Sequence, residues 1–195
     1  MIGNIIITPV QWLIYFSGAG KMTTVKKQRS GSGVNTKLIT ICAFFAAMTY
    51  VMTAFIHIPS AKGYIHIGDS MVFTAASLLP TPYAMASAAV GAALSDALSG
   101  YWIWVPATLV IKALTAAAFT SKKQKILCRR NILALLAALL LCVVGYGLYG
   151  GAVIYGSLKA GFIDAPGNIL QTGASALVYI SLGAAMDRSG IKHKI

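Results

Sequence analysis

The chain contains no glutamate, and its whole acidic complement is Asp69, Asp96, Asp164 and Asp187. Paired carboxylates for general acid–base work therefore have few places to come from. Cysteine is nearly as scarce: Cys42, Cys128 and Cys142 lie in or beside apolar runs without C-x-x-C spacing, which makes them packing residues rather than metal or redox ligands. His57 and His66 fall in one loop and His193 in the tail, so no catalytic residue, metal ligand or cofactor is assigned. A nucleotide-binding loop is also missing. Residues 18 to 22, Gly-Ala-Gly-Lys-Met, lack both the Ser or Thr after lysine and the earlier glycine that such a loop needs.

What the chain has is apolar length. Of 195 residues, 57% are hydrophobic and only 10% charged, and the mean hydropathy is +0.75, which leaves no room for a soluble catalytic domain beside the apolar runs. Most of the Lys and Arg side chains fall into three blocks: Lys21, Lys26, Lys27, Arg29 and Lys37; Lys122, Lys123, Lys125, Arg129 and Arg130; Arg188, Lys192 and Lys194. Basic loops stay on the cytoplasmic side because positive segments resist translocation. An even number of spans with both termini cytoplasmic follows, and the formal net charge of +12 then reflects topology and contact with the lipid bilayer rather than a nucleic-acid surface.

Six spans are expected. The first runs from Thr36 to Ile58, long enough for a hydrocarbon core of roughly 30 Å. The second, Ile67 to Leu79, is short and stopped by Pro80 and Pro82, so the loop before it must fold inward to reach it. Tyr83 to Leu98 is dense in Ala, Ser and Gly, the composition of a helix-packing segment. A fourth span starts near Pro106 and ends at about Thr120, a fifth covers Asn131 to about Ser157, and a sixth Gly167 to Met186. The chain divides into an N-terminal extension and basic lead-in at 1–35, a six-helix all-α integral-membrane bundle at 36–188, and a cytoplasmic tail at 189–195. Residues 1–21 read either as an additional membrane-dipping segment or as upstream sequence that the working protein does not need; the second reading is preferred.

Several side chains stand out against this apolar background. Lys112 lies some nine residues into the fourth span, roughly 14 Å from its outer end, where a lysine must snorkel, pair with an acid or face an aqueous cavity. Asp69, at the start of the short second helix, reads as an N-cap or as a ligand contact. Asp96 sits near a helix C-terminus, where the dipole opposes an acid, and reads as a site residue or as surface. Tyr101, Trp102 and Trp104 suit an interfacial belt or a pocket that stacks a flat ring. Asn168 and Gln171 offer neutral hydrogen bonds at the outer end of the sixth span, where Asn168 reads equally well as a helix cap. Ala43 and Ala47 form a small-x-x-x-small pair on the first, fit for docking inside the bundle or against another subunit.

Four segments carry a family resemblance: Gly-Tyr-Ile-His-Ile-Gly-Asp-Ser at 63–70, Ala-Ala-Ser-Leu-Leu-Pro at 75–80, Ala-Val-Gly-Ala-Ala-Leu-Ser-Asp-Ala-Leu-Ser-Gly-Tyr at 89–101, and Pro-Ala-Thr-Leu-Val-Ile-Lys-Ala-Leu at 106–114. Together they resemble the S components of energy-coupling factor (ECF) transporters, in the riboflavin-transporter-like branch. Pro80-Thr81-Pro82 stands where that branch usually has Gly-Pro. The resemblance implies a multi-pass protein of the bacterial plasma membrane that binds a water-soluble vitamin or precursor of riboflavin, pyridoxine or hydroxymethylpyrimidine type from outside. It also implies partners, a transmembrane T subunit and two ATPase subunits, with Ala43 and Ala47 at the family's first-helix docking position. A stand-alone carrier or channel, or a small integral-membrane enzyme, is the competing reading.

Overall fold

The computed structural model describes residues 35–59, 64–190 and 192. The lead-in at 1–34, the loop tip at 60–63 with Lys62, and positions 191 and 193–195 of the tail lie outside the described residues. Among the described residues, six long helices form: α1 (Thr36–Ala54), α2 (Asp69–Leu78), α3 (Thr81–Leu98), α4 (Val105–Ala118), α5 (Arg129–Tyr149) and α6 (Ala165–Ser189). Between α1 and α2 two short strands, β1 (His57–Pro59) and β2 (Tyr64–His66), pair antiparallel with His57 opposite His66. A 3-10 turn, Trp102–Trp104, leads into α4; a wide turn, Gly150–Ile154, and a one-turn helix, Leu158–Gly161, separate α5 from α6.

Local chemistry sets most boundaries. The Asn35 side chain accepts the Leu38 N–H at 3.3 Å and caps α1. Pro82, Pro106 and Pro166 occupy the first turns of α3, α4 and α6, where a missing N–H costs nothing. At its far end α6 stops on Gly190, whose φ of +64° is left-handed. Three stretches, Thr36–Ala54, Arg129–Ile154 and Leu158–Ser189, are long and apolar enough to cross a membrane, and Trp102–Ala118 is a shorter apolar helix. Phe44, Val51, Leu94, Val110, Leu140 and Leu177 project outward from the bundle, an apolar exterior suited to lipid.

α2 is the axis of the fold. All ten of its residues are buried, and at 1.5 Å per residue it spans about 15 Å, half a hydrocarbon core. Its polar side chains survive there by bonding back to their own helix: Thr74 Oγ1 donates to the Ser70 carbonyl at 2.7 Å and Ser77 Oγ to the Phe73 carbonyl at 2.8 Å. The inward loop expected before it is the β1–β2 ribbon. Around α2, Phe73 stacks on Phe119 at 5.2 Å between ring centroids and Tyr179 meets both rings edge-on. Gly91 lets α3 approach α1, since a Cβ there would strike the Ala46 carbonyl.

The end of the bundle that carries the basic 119–128 segment is tied by polar bonds. Asn131 Oδ1 accepts the Thr120 N–H at 2.8 Å, and its Nδ2 reaches the Ile126 carbonyl at 2.9 Å and Ser77 Oγ at 3.1 Å. Asp187 accepts the N–H groups of Ile126 and Leu127 at 2.7 and 3.1 Å. Because the helices alternate in direction, β2, the start of α2, the end of α3, the start of α4 and the start of α6 gather at the opposite end.

Candidate ligand-binding site

At that opposite end lies a cavity of about 240 Å³, lined by Tyr64, Ile65, His66, Asp96, Trp104, Thr108, Tyr146, Gly161, Ile163, Asp164, Gly167, Asn168 and Gln171. Beside it sits a buried ion pair. Lys112 Nζ on α4 donates to Asp69 Oδ1 at 2.6 Å, and Gln171 Nε2 on α6 donates to Asp69 Oδ2 at 3.0 Å. Asp69 is the first residue of α2 and caps nothing with its side chain; the N-cap is Gly68. The carboxylate gains from the positive helix end as well as from lysine, a combination that makes its burial tolerable. Lys112 Nζ also lies 5.5 Å from the centre of the Tyr146 ring.

Asp96, in the last turn of α3, is held differently. Its Oδ1 accepts the Tyr64 phenol at 2.6 Å, while Tyr64 also lies within 3.2 Å of Ser95 Oγ. Its Oδ2 is buried with no hydrogen-bond partner. Thr108 stands one turn before Lys112 on the same face of α4, and its hydroxyl is engaged with the Tyr146 phenol at 3.0 Å. The Tyr146 and Trp104 rings meet at 5.8 Å and 70° and form an aromatic wall. Asp164 Oδ2 accepts the Tyr155 phenol at 2.8 Å.

In β2, His66 faces inward and its Nδ1 accepts the Gly68 N–H at 3.1 Å. Burial pushes its imidazole down from 6.5 to about 4, which leaves it neutral at physiological pH. Among the described residues, no group of three or more His, Cys, Asp and Glu side chains converges as a metal site would require. What the cavity offers is non-covalent: carboxylate acceptors at Asp96 and Asp164, amides at Asn168 and Gln171, and ring faces at Trp104 and Tyr146.

Of the residues singled out in the sequence, Asp96, Trp104, Asn168 and Gln171 line the cavity. Asp69 and Lys112 lie behind Gln171, neutralising each other. Tyr101 packs on the Tyr64 ring at 4.9 Å and stands outside the lining, and Trp102 is 68% exposed. Ala43 and Ala47 are both exposed on α1. Sequence reasoning passed over Tyr64, His66, Thr108, Tyr146 and Asp164. Thr108 was the most accessible of these, four residues before Lys112 on one helix face; Tyr146 carries no local signal within a Gly-rich run.

Residues 33–188 match the family model described as ECF-type riboflavin transporter, S component. No curated protein matches the chain at a significant level.

Proposed function

The chain belongs to the S-component family of ECF-type riboflavin transporters, and from that premise we propose that it is the substrate-binding subunit of an importer for a water-soluble vitamin or vitamin precursor. The observation that carries the reading is the cavity itself. Its lining includes both Asp96, whose Oδ2 is buried without a hydrogen-bond partner, and the aromatic rings of Trp104 and Tyr146, and a small heterocycle suits both, giving hydrogen bonds at its edge and burying its faces.

Orientation follows from charge. With the basic segment 122–130 and both termini in the cytoplasm of a bacterium, the cavity opens to the outside, where the vitamin is captured. Energy comes from elsewhere, a T subunit and two ATPases, with α1 presenting Ala43 and Ala47 to the T subunit. The exposure of both alanines supports that assignment. Spatially, Asp96, Trp104, Asn168 and Gln171 form the ligand contacts, and Asp69 and Lys112 hold Gln171 in place.

The test has two arms. Mass spectrometry of the protein purified from a vitamin-replete host identifies a co-bound ring compound, and cells accumulate that compound only when the T subunit and both ATPases are produced with the chain. Uptake by the chain alone, without ATP hydrolysis, overturns the reading in favour of a stand-alone carrier.

A further inference from the structure

The charge on the cavity wall is of one sign. Among the described residues, Asp96 and Asp164 line it and no lysine or arginine does. The nearest buried cation, Lys112, is already matched by Asp69 at 2.6 Å, so its charge is unavailable to an anionic ligand. His66 has its Nδ1 occupied by the Gly68 N–H.

Asp96 makes the strongest demand. It is 7% exposed, and the Tyr64 phenol donates to its Oδ1 at 2.6 Å. The other oxygen, Oδ2, is buried without a hydrogen-bond partner, and the Thr108 hydroxyl, 3.0 Å from the Tyr146 phenol, is the neighbouring polar group on α4 that also reaches toward Asp96. Buried acceptors left unmatched are costly, and a ligand that brings an N–H donor removes the cost. Size narrows the choice further. A cavity of about 240 Å³, near the lower end of the roughly 300–1,000 Å³ of ligand clefts, suits one ring with short substituents.

We propose that the site selects an unphosphorylated single-ring heterocycle bearing an amino or ammonium group, with that group seated on Asp96. The proposal rests on the reading of the chain as a vitamin-binding S component. A phosphate ester is refused because it brings between one and two negative charges to a wall that, among the described residues, carries two carboxylates and no lysine or arginine. An alcohol in the amine's place donates one hydrogen bond, where an amino group offers two N–H donors and an ammonium adds a positive charge facing Asp96.

Calorimetric titration of the purified, ligand-stripped protein decides it. The probes are pyridoxamine, 4-amino-5-hydroxymethyl-2-methylpyrimidine, pyridoxine, pyridoxamine 5′-phosphate and riboflavin. One of the two amine-bearing rings is expected to bind about tenfold or more tightly than pyridoxine and riboflavin, and pyridoxamine 5′-phosphate about tenfold or more weakly than pyridoxamine, the scale of one charge-assisted hydrogen bond. Asp96→Asn should shrink the preference for the amine to within about threefold of pyridoxine, a loss on the same scale. The wild-type ranking stands as a test even if that variant fails to fold. Tightest binding by riboflavin or pyridoxine overturns the proposal and leaves the S-component reading intact; failure of every probe to bind overturns the proposal and the vitamin-binding reading together.

Discussion

Lys112 Nζ lies 2.6 Å from Asp69 Oδ1, and the two side chains keep only 2% and 4% of their surface exposed. Neither lines the cavity; Gln171, which donates to the other oxygen of Asp69, does. The pair therefore acts on the site through the position of an amide on α6. Removing one member leaves a buried uncompensated charge, and such losses run to about 3–5 kcal/mol. Lys112→Ala is expected to lower the Tm of the ligand-free protein sharply, while Lys112→Met combined with Asp69→Asn loses less than Lys112→Ala alone. Stability losses from single variants at the two positions that simply add in the double would show that the charges are not coupled.

Trp104 and Trp102 separate by environment. Trp104 meets Tyr146 at 5.8 Å and Tyr149 at 5.9 Å between ring centroids and lines the cavity, whereas Trp102 faces outward. Trp104→Ala should weaken binding of the cognate ring by up to about tenfold, from an aromatic contact of about 0.5–1.5 kcal/mol. Trp102→Ala should leave affinity within about twofold, as an exposed side chain makes no buried contact with the ligand. Equal losses in the two variants, measured by calorimetry, would move the aromatic wall.

The six-helix layout was legible because apolar runs, prolines and small residues act locally. Asp69 and Lys112 were legible singly, each being a charge too costly for an apolar run without a reason. Their partnership was not. The two are 43 residues apart, and nothing in the periodicity of α2 or α4 says which faces meet. Tyr64 and Asp96 pose the same difficulty, joined only when the β1–β2 ribbon folds over the end of α3. Trp102 and Trp104 share one 3-10 turn, and tertiary packing alone decides which of them turns inward.

Orientation has a direct test. Gln124 lies in the basic segment between α4 and α5, which the distribution of Lys and Arg assigns to the cytoplasm. In a cysteine-free background, Gln124→Cys should resist a membrane-impermeant thiol reagent in intact cells and react after permeabilisation. Labelling in intact cells would invert the whole arrangement and place the cavity on the inner side.

Docking should be separable from binding. Ala43 and Ala47 lie exposed on α1, whose buried face is carried by Phe45, Thr49 and Thr53. Ala43→Trp and Ala47→Trp should abolish co-purification with the T subunit and ATPases, because a bulky ring holds two helices apart where small residues let them touch. Ligand affinity should stay within about twofold of wild type, since neither position lines the cavity. Variants that still assemble fully would move the docking face off these residues.

Acid should loosen the site through His66. Its Nδ1 accepts the Gly68 N–H at 3.1 Å and must stay unprotonated to do so. Burial, with Lys112 and His57 acting in the same direction and Asp69 opposing, takes the imidazole from 6.5 down to about 4 in the folded protein. Between those values the unfolded chain holds a proton that the folded one does not, so stability rises with pH across the window. The contribution is fully present above about 6.5 and is lost as pH falls toward and past 4, on the order of 3 kcal/mol in all. His66→Asn supplies an acceptor for Gly68 that does not titrate. The wild-type Tm should therefore fall more steeply than that of His66→Asn between pH 6.5 and 4. Parallel curves would assign the acid sensitivity to another group and leave the β2 histidine with a packing role alone.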